Sequence, residues 1–188
     1  MKAITLGGAA LGLLWLGTNA RADKPTEEEL ETAVTTFVEV AHASGTDVAH
    51  RDLVAAAAMI LAPLTYAGFK YELGDGHPPP IPAKACRNRW GSAGTVKAKD
   101  LPAFLKCAQL GEWQAAGDWS VEDVGKLPDL LRPFKAKLTQ LAQTQTLVYS
   151  HMQIAAPPEY WTAYAGTKDA DGHVRITAII AGYVWHDD

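Results

Sequence analysis

Apolar residues recur at helical spacing near the start of the chain. Over 26–43 they lie every three or four positions, which predicts an amphipathic helix. Thr26 and Glu29 have the spacing of a capping box, in which each side chain accepts a hydrogen bond from a free backbone N–H. A second helix is predicted over 52–61. Its first residue is an aspartate suited to the N-cap, and Pro63 follows its end.

Strand-like alternation of apolar and polar residues follows these helices and returns in the last third of the chain. We expect one strand over 64–73, then three further strands over 144–154, 160–167 and 173–185. The Asp-Ala-Asp-Gly sequence at 169–172 predicts the turn between the last two. Helices followed by antiparallel strands indicate an α+β fold.

The last predicted strand has two unequal faces. One is apolar throughout, whereas the other begins polar and becomes apolar around Ile179, Tyr183 and Trp185. If the first face packs on the core, the second forms an outer apolar surface. We therefore expect these three residues to contact a partner or a second copy of the chain.

The middle of the chain is irregular. Glycines and a proline run in 74–99 disfavour a helix or a central strand, so a loop is predicted. The segment is basic because it contains Lys84, Arg87, Arg89, Lys97 and Lys99. These cations predict either an anion-binding rim around Trp90 or, by the usual behaviour of charge runs, a solvated loop. Helical segments are expected from Asp100 and again to about Leu141.

The first 22 residues have the three parts of a secretory signal peptide. Lys2 is followed by the uncharged apolar run 4–16, and Ala20-Arg21-Ala22 has the small residues of a cleavage site. The apolar run is shorter than the roughly 20 residues that span a bilayer. We expect export to the periplasm or the extracellular space. The remaining residues, 23–188, are expected to form a single domain without a membrane span.

Composition narrows the class of protein. The chain has 188 residues, is 48% hydrophobic and carries 17 basic and 21 acidic residues. These values are typical of a globular protein and exclude a disordered chain. Removing residues 1–22 leaves 15 basic and 21 acidic residues, a net charge of -6. A nucleic-acid-binding role is disfavoured because it normally needs a basic surface.

Two cysteines, Cys86 and Cys107, follow the predicted signal peptide. An even number of cysteines in an oxidising compartment favours a disulfide, although buried free thiols or a metal site are the alternatives. The spacing matches no zinc motif. A bond closing this loop is expected to contribute about 3 kcal/mol to stability.

The order of elements resembles the cone-shaped superfamily of nuclear transport factor 2, ketosteroid isomerase and scytalone dehydratase. The resemblance rests on the helix from Thr26, the Leu61–Tyr66 passage into a strand, and the hairpin from Trp161 to Val184. It implies N-terminal helices packed on a curved, mainly antiparallel sheet, as in the related cystatin-like cone, with a pocket between them. The long helical and loop-rich middle is an insertion relative to this plan, and no catalytic motif of the family is matched.

Histidine is the natural candidate for acid–base chemistry. His151 lies two residues after Tyr149 in a predicted strand, so both side chains share one face. His151 is a candidate general base and Tyr149 a candidate hydrogen-bond donor. The opposite face of the strand is the more apolar one, which favours His151 facing solvent or a partner. No histidine spacing matches a metal site, and we expect neither a metal nor a cofactor.

The sequence predicts an exported binding or scaffolding module that holds an apolar ligand or a protein partner without catalysis. Trp161 and Tyr164 join Ile179, Tyr183 and Trp185 as candidate contact residues. The alternative is a cofactor-free lyase or isomerase that uses His151 and Tyr149. A structural role in the cell envelope is a third prediction compatible with export.

Overall fold

The computed structural model describes six segments of the chain: 23–41, 52–69, 83–108, 118–122, 127–153 and 160–183. The helices are α1 (Glu27–Ala41), α2 (Leu53–Ala58), α3 (Ala83–Trp90), α4 (Leu101–Ala108) and α5 (Lys135–Ala142), with 3-10 helices at Ala98–Asp100 and Asp129–Phe134. The strands are β1 (Ile60–Ala67), β2 (Ala93–Val96), β3 (Asp118–Glu122), β4 (Thr146–Gln153), β5 (Tyr160–Lys168) and β6 (Val174–Tyr183).

The described strands form one open mixed sheet. Its order is β2-β1-β6-β5-β4-β3. Only β1 and β6 pair in parallel, and the other four pairs are antiparallel. The predicted α+β class with a mainly antiparallel sheet is confirmed. β1 lies beside β6, the last strand. The long stretch of chain between these two strands allows them to pair in parallel.

Helix α1 begins where the capping box predicts. The Thr26 N–H donates to Glu29 Oε2 at 2.7 Å, and the Glu29 N–H donates to Thr26 Oγ1 at 3.1 Å. The apolar side of the helix is buried on one side of the sheet, which we call the helix face. There Phe37 meets Tyr164 edge-on with ring centroids 6.4 Å apart. The helix packs closely at Gly166, because a Cβ there would lie 2.4 Å from Leu30 Cδ1.

The opposite side of the sheet is also covered. The 3-10 helix Asp129–Phe134 and α5, together the covering arm, pack on β4, β5 and β6. Leu131 and Leu138 are buried against Trp161 and Ile180, forming a second core separate from the first. We call this side the arm face. Strands β4, β5 and β6 therefore lie between two helical layers and have apolar residues on both sides.

A bulge in β6 inserts one extra residue, so the side chains after it lie on the opposite face of the sheet from the one that simple alternation predicts. Ala165 pairs with Ala178 and Gly166 with Ile176, so Thr177 is an extra residue. Ile176 and Ile179 consequently both enter the core of the helix face, while Ile180 enters the second core. The prediction that Ile179 belongs to an outer apolar surface is wrong, because its side chain is fully buried.

The middle of the chain contains more regular structure than predicted. Within the segment 74–99, helix α3 and strand β2 replace part of the expected loop. β1 also begins earlier than the expected strand over 64–73, because α2 ends at Ala58. The Asp52 carboxylate caps α2 as predicted, accepting a hydrogen bond from the Ala55 N–H at 2.8 Å.

The predicted disulfide is present. Cys86 of α3 is bonded to Cys107 of α4, with Cα atoms 5.5 Å apart. Both cysteines are buried in the core of the helix face. Beside them Phe104 contacts Tyr66, Phe69 and Trp90 at centroid distances of 4.7, 5.5 and 5.6 Å. The bond thus joins two short helices to an aromatic part of the core.

Some predictions lie outside the described residues. These are the signal peptide at 1–22, most of the proline-rich stretch before α3, and Trp185. In the described part of the chain, no helix is both long and apolar enough to cross a bilayer.

Candidate functional site

His151 and Trp161 form a stacked pair on the arm face. They occupy directly opposed positions of β4 and β5, and their rings lie 11° from parallel with centroids 4.1 Å apart. Antiparallel pairing brings such opposed side chains together on one face. Trp161 is buried against the second core, whereas His151 is partly buried with its Nε2 atom shielded from solvent. The histidine ring therefore lies between the core and the surface.

Tyr149 extends this pair into a row along β4. It lies two residues from His151 and on the same face of the strand, as the sequence predicts. Its ring packs against the second core. Burial raises the pKa of the Tyr149 hydroxyl above its usual value. The hydroxyl is protonated at neutral pH, as in an ordinary tyrosine, and is able to donate a hydrogen bond. We refer to Tyr149, His151 and Trp161 as the aromatic row.

The face that holds the row is partly covered. The sequence favours the opposite face of β4 as the apolar one, but Leu147 and Tyr149 both pack into the second core. The sequence predicts that His151 faces solvent or a partner, and the structure leaves its side chain partly exposed at the margin of this core. The covering arm packs on this side of the sheet, so part of what alternation alone suggests to be an outer face is buried.

The other predicted contact residues are placed differently. Tyr164 is fully buried on the helix face against Phe37, so it forms part of the core rather than a partner surface. Ile179 is buried in the same core. The backbone of Tyr183 ends β6, and Trp185 lies beyond the described residues. Among the predicted contact residues whose side chains the structure describes, only Trp161 lies beside the predicted His–Tyr pair.

The basic segment is partly organised by local charge pairing. The Arg89 guanidinium lies 4.5 Å from the centre of the Trp90 ring and 3.2 Å from the Asp100 carboxylate. Trp90 packs on Phe104, and its backbone carbonyl accepts a hydrogen bond from the Tyr66 hydroxyl. Trp90 is thus held by the core, and one of its neighbouring cations already has an acidic partner.

The turn between β5 and β6 gathers two carboxylates and a histidine. The ligand atoms of Asp169, Asp171 and His173 lie within 4.8 Å of one another. Asp169, however, accepts hydrogen bonds from the Arg175 side chain at 2.7 Å and from two backbone N–H groups of the turn. These donors lower the pKa of Asp169 and already balance its charge. The arrangement stabilises the turn predicted at 169–172.

The sequence patterns do not predict the contact between Trp161 and His151. Each residue is a separate candidate, and the link between them is the register of two strands joined by 154–159. Pairing the two alternating stretches as a hairpin would have indicated the contact. Strand alternation alone does not, because it specifies a face but not the opposed residue.

Comparison with known proteins does not assign a family. The chain matches no protein-family model and no curated protein.

Proposed function

We propose that residues 23–188 form an exported binding or scaffolding module, and that the aromatic row is its ligand-contacting site. The observation that carries this proposal is the stacked pair of His151 and Trp161. An aromatic surface with adjacent polar atoms offers both apolar contact and a fixed hydrogen bond, which is the usual composition of a small-molecule site. The row supports a ligand with an apolar body and at least one hydrogen-bonding group.

The placement of the row on the arm face distinguishes this proposal from a pocket between helix and sheet. On the helix face, Phe37, Tyr164 and Ile179 are fully buried against one another and occupy that space. The row instead lies at the margin of the second core, where His151 and Tyr149 are partly exposed. A relationship to the nuclear transport factor 2 superfamily remains part of the proposal, resting on element order.

A cofactor-free lyase or isomerase is the second candidate. It is favoured by the shared face of Tyr149 and His151, which places a possible base and a hydroxyl donor side by side. His151 would then act as general base and Tyr149 as the hydrogen-bond donor to the substrate.

Native mass spectrometry of the chain purified from its producing cells tests the first proposal. We expect a bound compound in the wild type and in His173→Ala, whose histidine is exposed in the turn before β6. The compound should be lost in His151→Ala. Retention in both variants would place its site elsewhere, and a bare chain in every preparation would contradict a ligand-holding role. The same masses report cleavage after Ala22.

Incubation of the released compound with fresh protein separates binding from catalysis. A binding module returns the compound unchanged. An enzyme converts it, and Tyr149→Phe should then slow conversion while still binding the compound, because only the hydroxyl is removed. Conversion that persists in both His151→Ala and Tyr149→Phe would contradict the catalytic assignment of these residues.

A further inference from the structure

Strand β2 forms one edge of the described sheet. Among the described strands it pairs only with β1. Ala93, Gly94 and Thr95 are exposed, and only Val96 is buried. Their side chains are small. An edge strand presents a row of N–H and C=O groups that a further strand is able to pair with.

The surroundings of this edge are basic in an otherwise acidic protein. Residues 83–99 carry five basic residues and no acidic one, whereas the rest of the chain carries 12 basic and 21 acidic residues. Arg87, Arg89, Lys97 and Lys99 are exposed in the segments that flank β2 in the sequence. Asp100 balances Arg89, while Lys97 and Lys99 follow the strand directly. We call β2 with these four cations the basic edge.

We propose that the basic edge binds an extended acidic segment of a partner protein by strand addition. A peptide backbone matches the alternating donors and acceptors of the edge, whereas a phosphate or nucleic-acid backbone offers acceptors only. The cations select the partner by charge, since acidic side chains are attracted and basic ones repelled. Pairing of two copies through β2 would bring two basic edges together and is disfavoured.

This surface is separate from the aromatic row. Four strand spacings divide β2 from β4 in the sheet order, a distance of about 19 Å. Strand addition at the basic edge therefore requires no ligand at His151, and the protein partner would bind a different part of the molecule.

Fluorescence polarisation with labelled peptides tests the proposal on the purified chain. The probe is a peptide of alternating glutamate and valine. Two comparison peptides replace the glutamates with lysines or introduce a central proline at unchanged charge. We expect binding of the first peptide only, because lysines are repelled and proline removes a backbone donor. Equal binding of the proline peptide would show charge attraction without strand pairing and overturn the proposal.

Charge-reversal variants locate the binding surface. Lys97→Glu with Lys99→Glu should weaken binding of the glutamate–valine peptide by about tenfold or more, equivalent to about 1.4 kcal/mol. Lys135→Glu with Lys137→Glu, on α5, makes the same change in net charge and should leave binding nearly unchanged. Equal weakening by both pairs would overturn the proposal. Absence of binding by the glutamate–valine peptide would also overturn it, as would tighter binding of oligothymidylate than of this peptide. A dimer seen in sedimentation of the wild type and lost in the Lys97→Glu, Lys99→Glu variant would overturn it as well.

Discussion

Glu29 connects the start of α1 to the sheet. Its carboxylate accepts hydrogen bonds from Lys168 Nζ and from the Thr26 N–H, both at 2.7 Å. Lys168 contributes most to lowering the pKa of Glu29, followed by the backbone of Thr26. A lowered folded-state pKa means that the ionised carboxylate stabilises the fold above its unfolded-state pKa. This stability is lost as pH falls through the folded-state value.

Glu29→Gln tests this contribution. Glutamine retains a capping-box acceptor but not the charge, so the variant should be less stable than the wild type at neutral pH. The difference in unfolding free energy should shrink in acid, where Glu29 of the wild type is protonated. Urea unfolding at neutral pH and below the Glu29 pKa measures it. An equal difference at both values would contradict an ionic contribution.

Both the backbone conformation at position 68 and a neighbouring carbonyl group require a glycine there. Its φ is +77°, and an added Cβ would lie 1.8 Å from the Ala181 carbonyl oxygen. Gly172 has a similar φ of +83° but open space around the added atom. Gly172→Ala should therefore cost about 1–2 kcal/mol for the left-handed backbone alone.

Gly68→Ala should cost more than Gly172→Ala, by about 1–3 kcal/mol of overpacking. Thermal and urea unfolding of the two variants compare these costs directly. Equal losses would mean that β6 moves away from Gly68 without penalty. The sequence identifies neither position as the tighter one, because the Ala181 carbonyl is distant along the chain.

At the scale of elements, the disulfide joins α3 to α4. Both helices have only eight residues, and isolated helices of that length are marginal in water. Such helices need tertiary support, which the bond provides by joining them. In the chain-entropy model the bond stabilises the fold mainly by restricting the unfolded chain. Cysteine number and the predicted compartment were sufficient to predict the pairing, whereas the helix containing Cys86 was not predicted.

Replacing both cysteines, Cys86→Ala with Cys107→Ala, should lower the unfolding free energy by about 3 kcal/mol. Urea unfolding of the variant and of the reduced wild type measures the loss, and the two should agree within about 1 kcal/mol. An unchanged midpoint would indicate that the loop is already restrained in the unfolded state.

Alternation predicts the residue ranges of the C-terminal strands better than it predicts which side of the sheet each residue faces. β4 and β5 lie close to the expected ranges, and Tyr149 and His151 share a face as predicted. In β6 the extra residue Thr177 interrupts the alternation, so Ile179 was assigned to the wrong face. A bulge leaves no clear signal here, because the residues on both sides of it are apolar.

At the scale of the molecule, helical layers cover both sides of strands β4, β5 and β6. If both cores contribute to global stability, Leu131→Ala in the covering arm should destabilise the fold as much as a similar substitution of a buried leucine in α1. We expect a loss of about 2–5 kcal/mol for Leu131→Ala and a similar loss for Leu30→Ala, since both side chains are fully buried.

Urea unfolding followed by circular dichroism and by tryptophan fluorescence checks this expectation. The two signals should change together in both variants, because one cooperative unit contains both cores. A loss below about 1 kcal/mol for Leu131→Ala would show that the arm is a peripheral layer.

The sequence by itself determined the elements whose signals are local. The capping box begins α1, alternation marks the C-terminal strands, and the pair of cysteines predicts the disulfide, because each depends on neighbouring residues or on counting. Tertiary structure decided which strands pair, which face each covers and where His151 lies. These depend on the covering arm, on the bulge at Thr177 and on the register of β4 with β5, all of which arise from contacts between distant parts of the chain.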